Sequence, residues 1–370
     1  MADQRQRAYP PGQHPDLPPP QGSIGVLRWL RTNLFSSPLN TVLTLLAVWL
    51  LYMFVVTVAD WFLFEAVVDA KSRVECRNAG DGACWALIAT RAGQFTYGFY
   101  PAAERWRPNL AFVLMFAALA PLLFDGTPFR RQMIWFSLAY PIIAGWLIYG
   151  GFGLQIVDTQ SSGGFLLTLI IGVTGIVASL PIGILLALGR QSRLFAIRII
   201  CISFIEFLRG VPLITLLFVA SSMLNYFLPP GTSFNLLVRV LIMVTLCASA
   251  YIAEVVRGGI QAIPRGQYEA ADALGLSYWQ TTSLITLPQA LKISIPGIVN
   301  TFIGLYKDTT LVVIIGLLDP LGIGRAVLAD VKWNGPATEI YLFVALFFFI
   351  SCFSMSRYSL WLEKRLSTEH

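Results

Sequence analysis

The chain is predicted to be an all-α, polytopic membrane helix bundle of about eight transmembrane helices. Two observations predict it. Apolar residues make up 56% of the sequence against 12% charged, and they cluster in stretches long enough to cross hydrocarbon. Soluble domains carry about 25% charged residues, so a globular fold could not bury this much apolar surface and the bilayer must serve as part of the solvent. A span needs roughly 20 mostly apolar residues. Such stretches run 40–66, 109–125, 133–151, 164–189, 199–226, 236–256, 292–317 and 339–357.

The elements follow in order. Residues 1–39 read as a disordered cytoplasmic tail, with prolines at Pro10, Pro11, Pro15, Pro18, Pro19 and Pro20 and no apolar core. The first apolar stretch begins near Thr41 and is too long for a signal peptide, so it reads as a retained span. Residues 40–151 hold three accessory spans with few internal charges and a long polar loop at 67–108. Residues 163–360 hold five more, and these carry Glu206, Arg209, Arg239, Glu254, Lys307 and Asp308. Ionisable groups are costly in hydrocarbon and face a bundle interior or a polar cavity, so this five-span region is the working core. Residues 361–370 form a short cytoplasmic tail. No internal repeat is evident.

The net charge of +6 (26 basic minus 20 acidic residues) fits Lys and Arg retained on the cytoplasmic side and calls for no nucleic-acid partner. Arg28 and Arg31, Arg130 and Arg131, Arg190, Arg193 and Arg198, and Arg357, Lys364 and Arg365 all fall on one side if both termini are cytoplasmic. Loop 67–108 strains that topology, since Lys71, Arg73, Arg77, Arg91, Arg105 and Arg107 then lie outside. Cys76 and Cys84 bracket its polar stretch RNAGDGA. They form a disulfide if the loop is periplasmic, or stand as two free thiols.

The segment Ala262–Pro288 is too polar for hydrocarbon and too regular for a bare connector. Pro264 ends the preceding helix, good helix formers run from Gln267 to Leu274, and Gly275 sits where a left-handed C-cap belongs. Ser277 and Gln280 then give the S-x-x-Q pattern of a capping box, and Pro288 closes the segment before the seventh span. The expected form is helix, glycine turn, helix, outside the membrane. Ala270, Ala271 and Ala273 keep the first helix thin and Glu269 gives it one acidic handle, which suits a groove on a partner protein. A helix resting on headgroups would favour a basic polar face, whereas this one carries Glu269 and Asp272.

These residues carry a specific resemblance. Glu269-Ala270-Ala271, Gly275 and Ile285–Pro288 resemble the EAA loop of ABC importer permeases. Phe204–Pro212 (FIEFLRGVP), Ala253–Ile263 (AEVVRGGIQAI) and Lys307–Leu311 (KDTTL) resemble the polar amino-acid permease family of HisM/HisQ type. The added N-terminal spans and loop 67–108 look like the AapM-type subunits of general L-amino-acid importers. Thr310 stands where many relatives have Ser, and the hydroxyl is retained. The resemblance implies a type I ABC importer core that moves L-amino acids from periplasm to cytoplasm by alternating access in a bacterial inner membrane. Within the loop 257–291, Gln267, Glu269, Ala270, Ala271 and Gly275 would be the residues coupled to an ATPase. Implied partners are a homologous permease subunit in a heterodimer, an ABC ATPase dimer, a periplasmic amino-acid-binding protein and membrane lipid. ATP and Mg would be used by the ATPase, and this chain would bind no cofactor.

An amino acid in transit presents both charges, so its path should offer ionisable groups or helix ends. Arg209, Glu254, Asp308, Thr309 and Thr310 are the candidates. The competing reading is structural: Glu206 with Arg209, and Glu254 with Arg257, stand at i,i+3 and could pair along one helix face. Arg239 is expected to snorkel to the surface.

Other chemistry is excluded. None of Lys71, Lys292, Lys307, Lys332 and Lys364 follows a glycine, so no P-loop exists and the chain is not expected to be an ATPase. The histidines, His14 and His370, lie in the tails, leaving no metal ligand set and no nucleophilic triad. An ion-gradient-driven secondary amino-acid transporter is the alternative function. It would predict internal repeats and leaves the polar loop unexplained.

Overall fold

The computed structural model describes residues 25–124, 126, 128–223, 226, 229 and 235–366. The tail up to residue 24, most of the connector 227–235, and residues 367–370 lie outside the described residues. The chain forms two compact units, one of residues up to 66 with 80–83 and one of residues 67–79 with 84–370.

In the first unit a short helix α1 (Val26–Asn33) precedes α2 (Pro38–Ala59), which continues through a π-helical turn, Asp60–Phe64. Ser37 caps α2 by accepting from the Asn40 N–H at 3.2 Å, and Pro38 takes a first-turn position, where a missing N–H leaves no intrahelical bond unmade.

The second unit is all helical among its described residues apart from isolated bridges. α5 (Trp106–Leu123) and α6 (Arg130–Tyr149) pair as an antiparallel hairpin, joined by hydrogen bonds from Ser137 Oγ to the Ala118 carbonyl (2.6 Å) and from the Tyr140 hydroxyl to the Ala111 carbonyl (3.0 Å). The core consists of α7 (Gly164–Arg190), α8 (Phe195–Gly210), α9 (Leu213–Phe218) with a π-turn to Met223, α10 (Leu236–Gln261), α13 (Leu287–Asp308) and α15 (Ala337–Leu366). α10 is central and packs on α7, α13 and α8. Small residues let these helices approach closely: a Cβ on Gly183 would strike Ile252, and one on Gly259 would strike Ser294 and the Ala290 carbonyl.

Two expectations about the spans need correcting. The fifth, placed over 199–226 with an irregular turn expected at Arg209–Pro212, is no single crossing helix, since α8 and α9 meet there at a bend of 102°. Pro212 disfavours helix at the residue before it, and Val211 is accordingly extended. With 16 residues, α8 is about 24 Å long and does not cross by itself. The seventh was expected to start after Pro288, yet helix is continuous from Tyr278 to Ile315. A π-turn at Thr281–Thr286, with the Leu287 N–H donating to the Thr282 carbonyl, widens the backbone ahead of Pro288, whose own N–H is missing. Among the described residues, five helices are long and apolar enough to cross a membrane, or seven if two bent pairs each count as one. Trp106–Leu123, at the expected second span, is not among them.

Loop 67–108 is an ordered module rather than a bare connector. It contains α3 (Arg73–Ala79) and α4 (Ala86–Tyr97) and packs with α14 (Pro320–Leu328) at the N-terminal end of α7. Cys76 and Cys84 are joined by a disulfide with their Cα atoms 5.9 Å apart, and both are buried. The Arg73 N–H donates to the Lys332 carbonyl (2.8 Å), the Cys84 N–H donates to Glu339 Oε1 (3.1 Å), and Arg91 pairs with Asp330. Phe95 and Trp333 lie in the buried cluster beneath. These long-range partners absorb part of the basic charge that strained the topology.

Candidate functional site

The polar loop leaves the bundle at the opposite end of α7 from this module. α10 ends at Gln261 and Pro264 starts α11 (Arg265–Ala273). α11 closes with paired bonds, the Gly275 N–H to the Asp272 carbonyl (3.0 Å) and the Leu276 N–H to the Ala271 carbonyl (3.1 Å). Gly275 holds φ +70°, the left-handed geometry this closure requires. Ser277 then starts α12 (Tyr278–Gln280) with the expected capping box, its N–H donating to Gln280 Oε1 at 2.9 Å.

α11 presents Gln267, Glu269 and Ala270 outward, and Gly275 is exposed as well, while Ala271 is fully buried. Ala271 therefore seats α11 on the Thr281–Thr286 turn and offers no surface of its own. Tyr268 packs into the core cluster with Ile263 and Ala290, and burial pushes its phenol above the ordinary tyrosine range. Gln289 Nε2 donates to Gln267 Oε1 at 3.2 Å. The loop is thus braced from behind and bare in front. Leu274 (76% exposed), Tyr278 (57%) and Trp279 (69%) extend the bare face, with the two rings packed edge to face at 5.3 Å. The sequence reading did not single out these three. The signal was present: adjacent aromatics in a short, otherwise polar helix.

The candidates for a substrate path separate into three places. Arg209 and Glu254 belong to an ion cluster in which the Glu254 carboxylate accepts from Arg190, from Arg257 (2.9 and 3.1 Å) and, at 3.6 Å, faces Arg209. The Glu254–Arg257 pairing was expected from its spacing. Glu206, however, pairs with Arg190 at 2.9 Å and not with Arg209, because the two guanidiniums are claimed across helices. Thr309 and Thr310 donate to the Tyr306 (2.8 Å) and Lys307 (2.9 Å) carbonyls of their own helix. Asp308 is exposed and has no ion-pair partner among the described residues. Arg239 does not snorkel. It is buried and donates to the Ala220 (3.2 Å) and Ser221 carbonyls of the π-turn Val219–Met223.

A separate cavity of about 210 Å³ lies between α9, α10 and α13, lined in part by Leu213, Cys247, Tyr251, Asn300, Thr301 and Gly304. None of the five sequence candidates lines it. Arg209 reaches its rim, with the guanidinium 5.8 Å from the Tyr251 ring centre. A cavity with amide, hydroxyl and phenol groups among apolar walls suits a small polar solute.

The sequence pattern of the family described as "binding-protein-dependent transport system inner membrane component" matches residues 179–368, taking in the loop, the ion cluster and the cavity. The chain belongs to that family. Its members are membrane permease subunits, and family membership decides against the ion-gradient alternative. Two permeases of the family match nearly end to end, so the N-terminal spans and the α3–α4 module are shared as well. The glutamate/glutamine/aspartate/asparagine transport system permease protein BztC of Rhodobacter capsulatus is 48% identical over 95% of this chain and 96% of its own. The inner membrane amino-acid ABC transporter permease protein YhdY of Escherichia coli is 49% identical over 96% and 97%. A crystal structure of an amino acid ABC transporter with histidines is 28% identical over 54% of this chain and 91% of that one, with a TM-score of 0.49.

Proposed function

We propose that this chain is the transmembrane permease subunit of an ATP-driven importer that moves L-amino acids from periplasm to cytoplasm by alternating access. Energy enters through α11 and α12, which seat in a groove on a separate ABC ATPase. Gln267, Glu269, Ala270 and the Leu274–Tyr278–Trp279 surface make the contact, while Ala271 and Gly275 hold the helix in position. The observation that carries this reading is a short helix, started by Pro264, closed at its C-terminal end by the Gly275 turn and braced on the core, whose outward face is bare. The amino-acid substrate follows from what the two full-length relatives are named for transporting.

The complex comprises this chain, a homologous permease, an ATPase dimer and a periplasmic binding protein. ATP and Mg belong to the ATPase. The disulfide Cys76–Cys84 supports a periplasmic α3–α4 module, since such bonds persist in oxidising compartments, and with it cytoplasmic termini. The cavity beside Tyr251 and Asn300 forms part of the path, with Arg209 at its rim and Asp308 available to an approaching ammonium group.

The test is uptake of radiolabelled amino acids by the complete complex in liposomes. Glu269→Lys is expected to lower ATP-driven uptake at least tenfold, as expected when a desolvated interface charge is reversed, with the thermal midpoint unchanged. Uptake that persists without ATP and follows an imposed ion gradient would overturn the proposal, and so would full coupling in Glu269→Lys.

A further inference from the structure

Arginines gather at the end of the bundle from which α11 emerges, and their charge is only partly matched there. Arg190, Arg209 and Arg257 share two carboxylates, Glu206 and Glu254. Arg198 has no acidic partner among the described residues. An open cavity of about 460 Å³ adjoins this cluster, lined by Arg190, Gln191, Arg198, Ile202, Arg257 and Gln261.

Its lining is suited to an anion. Glu254 holds Arg190 and Arg257 from behind, and Arg257 Nη1 donates to Gln261 Oε1 at 2.7 Å, so the guanidiniums are oriented before any ligand arrives. Forked guanidinium donors match the oxygens of a phosphate group. The position narrows the source. The apolar helices α7 and α10 end at Arg190 and Gln261, the level at which hydrocarbon gives way to headgroups. Beside the cavity, α8 exposes Phe195 (79%), Ile199 (44%) and Ile200 (67%). A soluble phosphate gains nothing from those side chains, whereas acyl chains lie against them.

We infer that this cavity binds the phosphate headgroup of an anionic phospholipid, with Arg198 as the free cation and Arg190 and Arg257 as its braced companions. Basic pockets between helices at a membrane surface take headgroups in this way. Because Glu254 lies about two turns before the loop, a lipid held here would bear on the same helix that leads into α11. The lipid site does not depend on the transport reading.

Native mass spectrometry of the full chain in mild detergent tests it, with phosphatidylglycerol and phosphatidylcholine as probes. The chain is expected to retain phosphatidylglycerol in preference. Arg198→Gln should lower that preference about fivefold, the equivalent of about 1 kcal/mol for one cation near a lipid surface, at an unchanged thermal midpoint, while Arg198→Lys should keep most of it. Equal retention of the two lipids, or an unchanged preference in Arg198→Gln, would overturn the inference. Displacement of the lipid by millimolar inorganic phosphate would also overturn it, by assigning the site to a soluble anion. If Arg198→Gln instead weakens co-purification of the ATPase and leaves lipid retention alone, the cavity docks a protein acid and the lipid assignment fails.

Discussion

The two ends of α7, 27 residues and about 40 Å apart, meet opposite environments. At its N-terminal end the chain closes on itself. Gly164 is pressed against the Phe95 carbonyl, a disulfide ties Cys76 to Cys84, and Arg73 and Cys84 both reach Glu339. At its C-terminal end the backbone is equally well ordered by caps, yet Glu269, Leu274 and Trp279 are exposed. The first end is tied together by partners distant in the same chain. The second has its local structure finished and its interface open, which is what a surface awaiting another protein looks like.

That contrast can be broken or sharpened by substitution. The largest stability effect is expected at the closed end. Gly164 holds φ +59° and a Cβ there would collide with backbone, so Gly164→Ala should destabilise by more than about 3 kcal/mol, seen as loss of the monodisperse peak in fluorescence size exclusion. An effect below 1 kcal/mol would show that this end yields as readily as the other.

Next comes the disulfide. Cys84→Ser should cost about 2–3 kcal/mol through the eight-residue separation it closes, read as a lower thermal midpoint. The ratio of transport to ATP hydrolysis in the surviving folded protein should not change. A change in that ratio would mean that the two ends are not independent.

Asp319, buried at the start of α14, gives a pH test of the same end. Burial pushes its carboxyl up to about 6, against the Gly322 N–H bonded to it. A raised folded-state value means the folded chain binds the proton more tightly. Stability is therefore greatest below about pH 4 and declines as pH rises through about 6, by up to about 3 kcal/mol. Asp319→Asn keeps the cap and should be the more stable form near neutral pH, its advantage shrinking as the pH is lowered through that window. A constant gap in thermal midpoint across the window would refute the assignment.

The smallest stability effect belongs to the open end. Gly275→Ala should cost only about 1 kcal/mol yet lower ATP-coupled uptake, because it tilts α11 without unfolding it. Unchanged uptake would show that the orientation of α11 does not matter.

Features that depend on a few consecutive residues were legible in the sequence. The apolar spans, the Gly275 closure, the Ser277–Gln280 box and the break before Pro212 each follow from hydropathy or backbone dihedrals within a short window. The sequence grouped Glu269, Ala270 and Ala271 without telling them apart, and the fold separates them: Glu269 and Ala270 are exposed, whereas Ala271 is the buried seat of its helix. Tyr278 and Trp279 passed unnoticed because aromatics are common near membrane surfaces.

What only the tertiary structure decided are the partnerships between distant residues. Arg190 reaches Glu254 across 64 positions, and Cys84 reaches Glu339 across 255. Arg239 turns inward to the Ala220 and Ser221 carbonyls of the π-turn. Helix formation is a local balance of hydrogen bonds and rotamer freedom, so the sequence alone determined most of where this chain is helical and where a polar loop interrupts its apolar stretches. Charge pairing is a balance between desolvation and the nearest opposite charge, and which charge is nearest is decided only when the helices have packed.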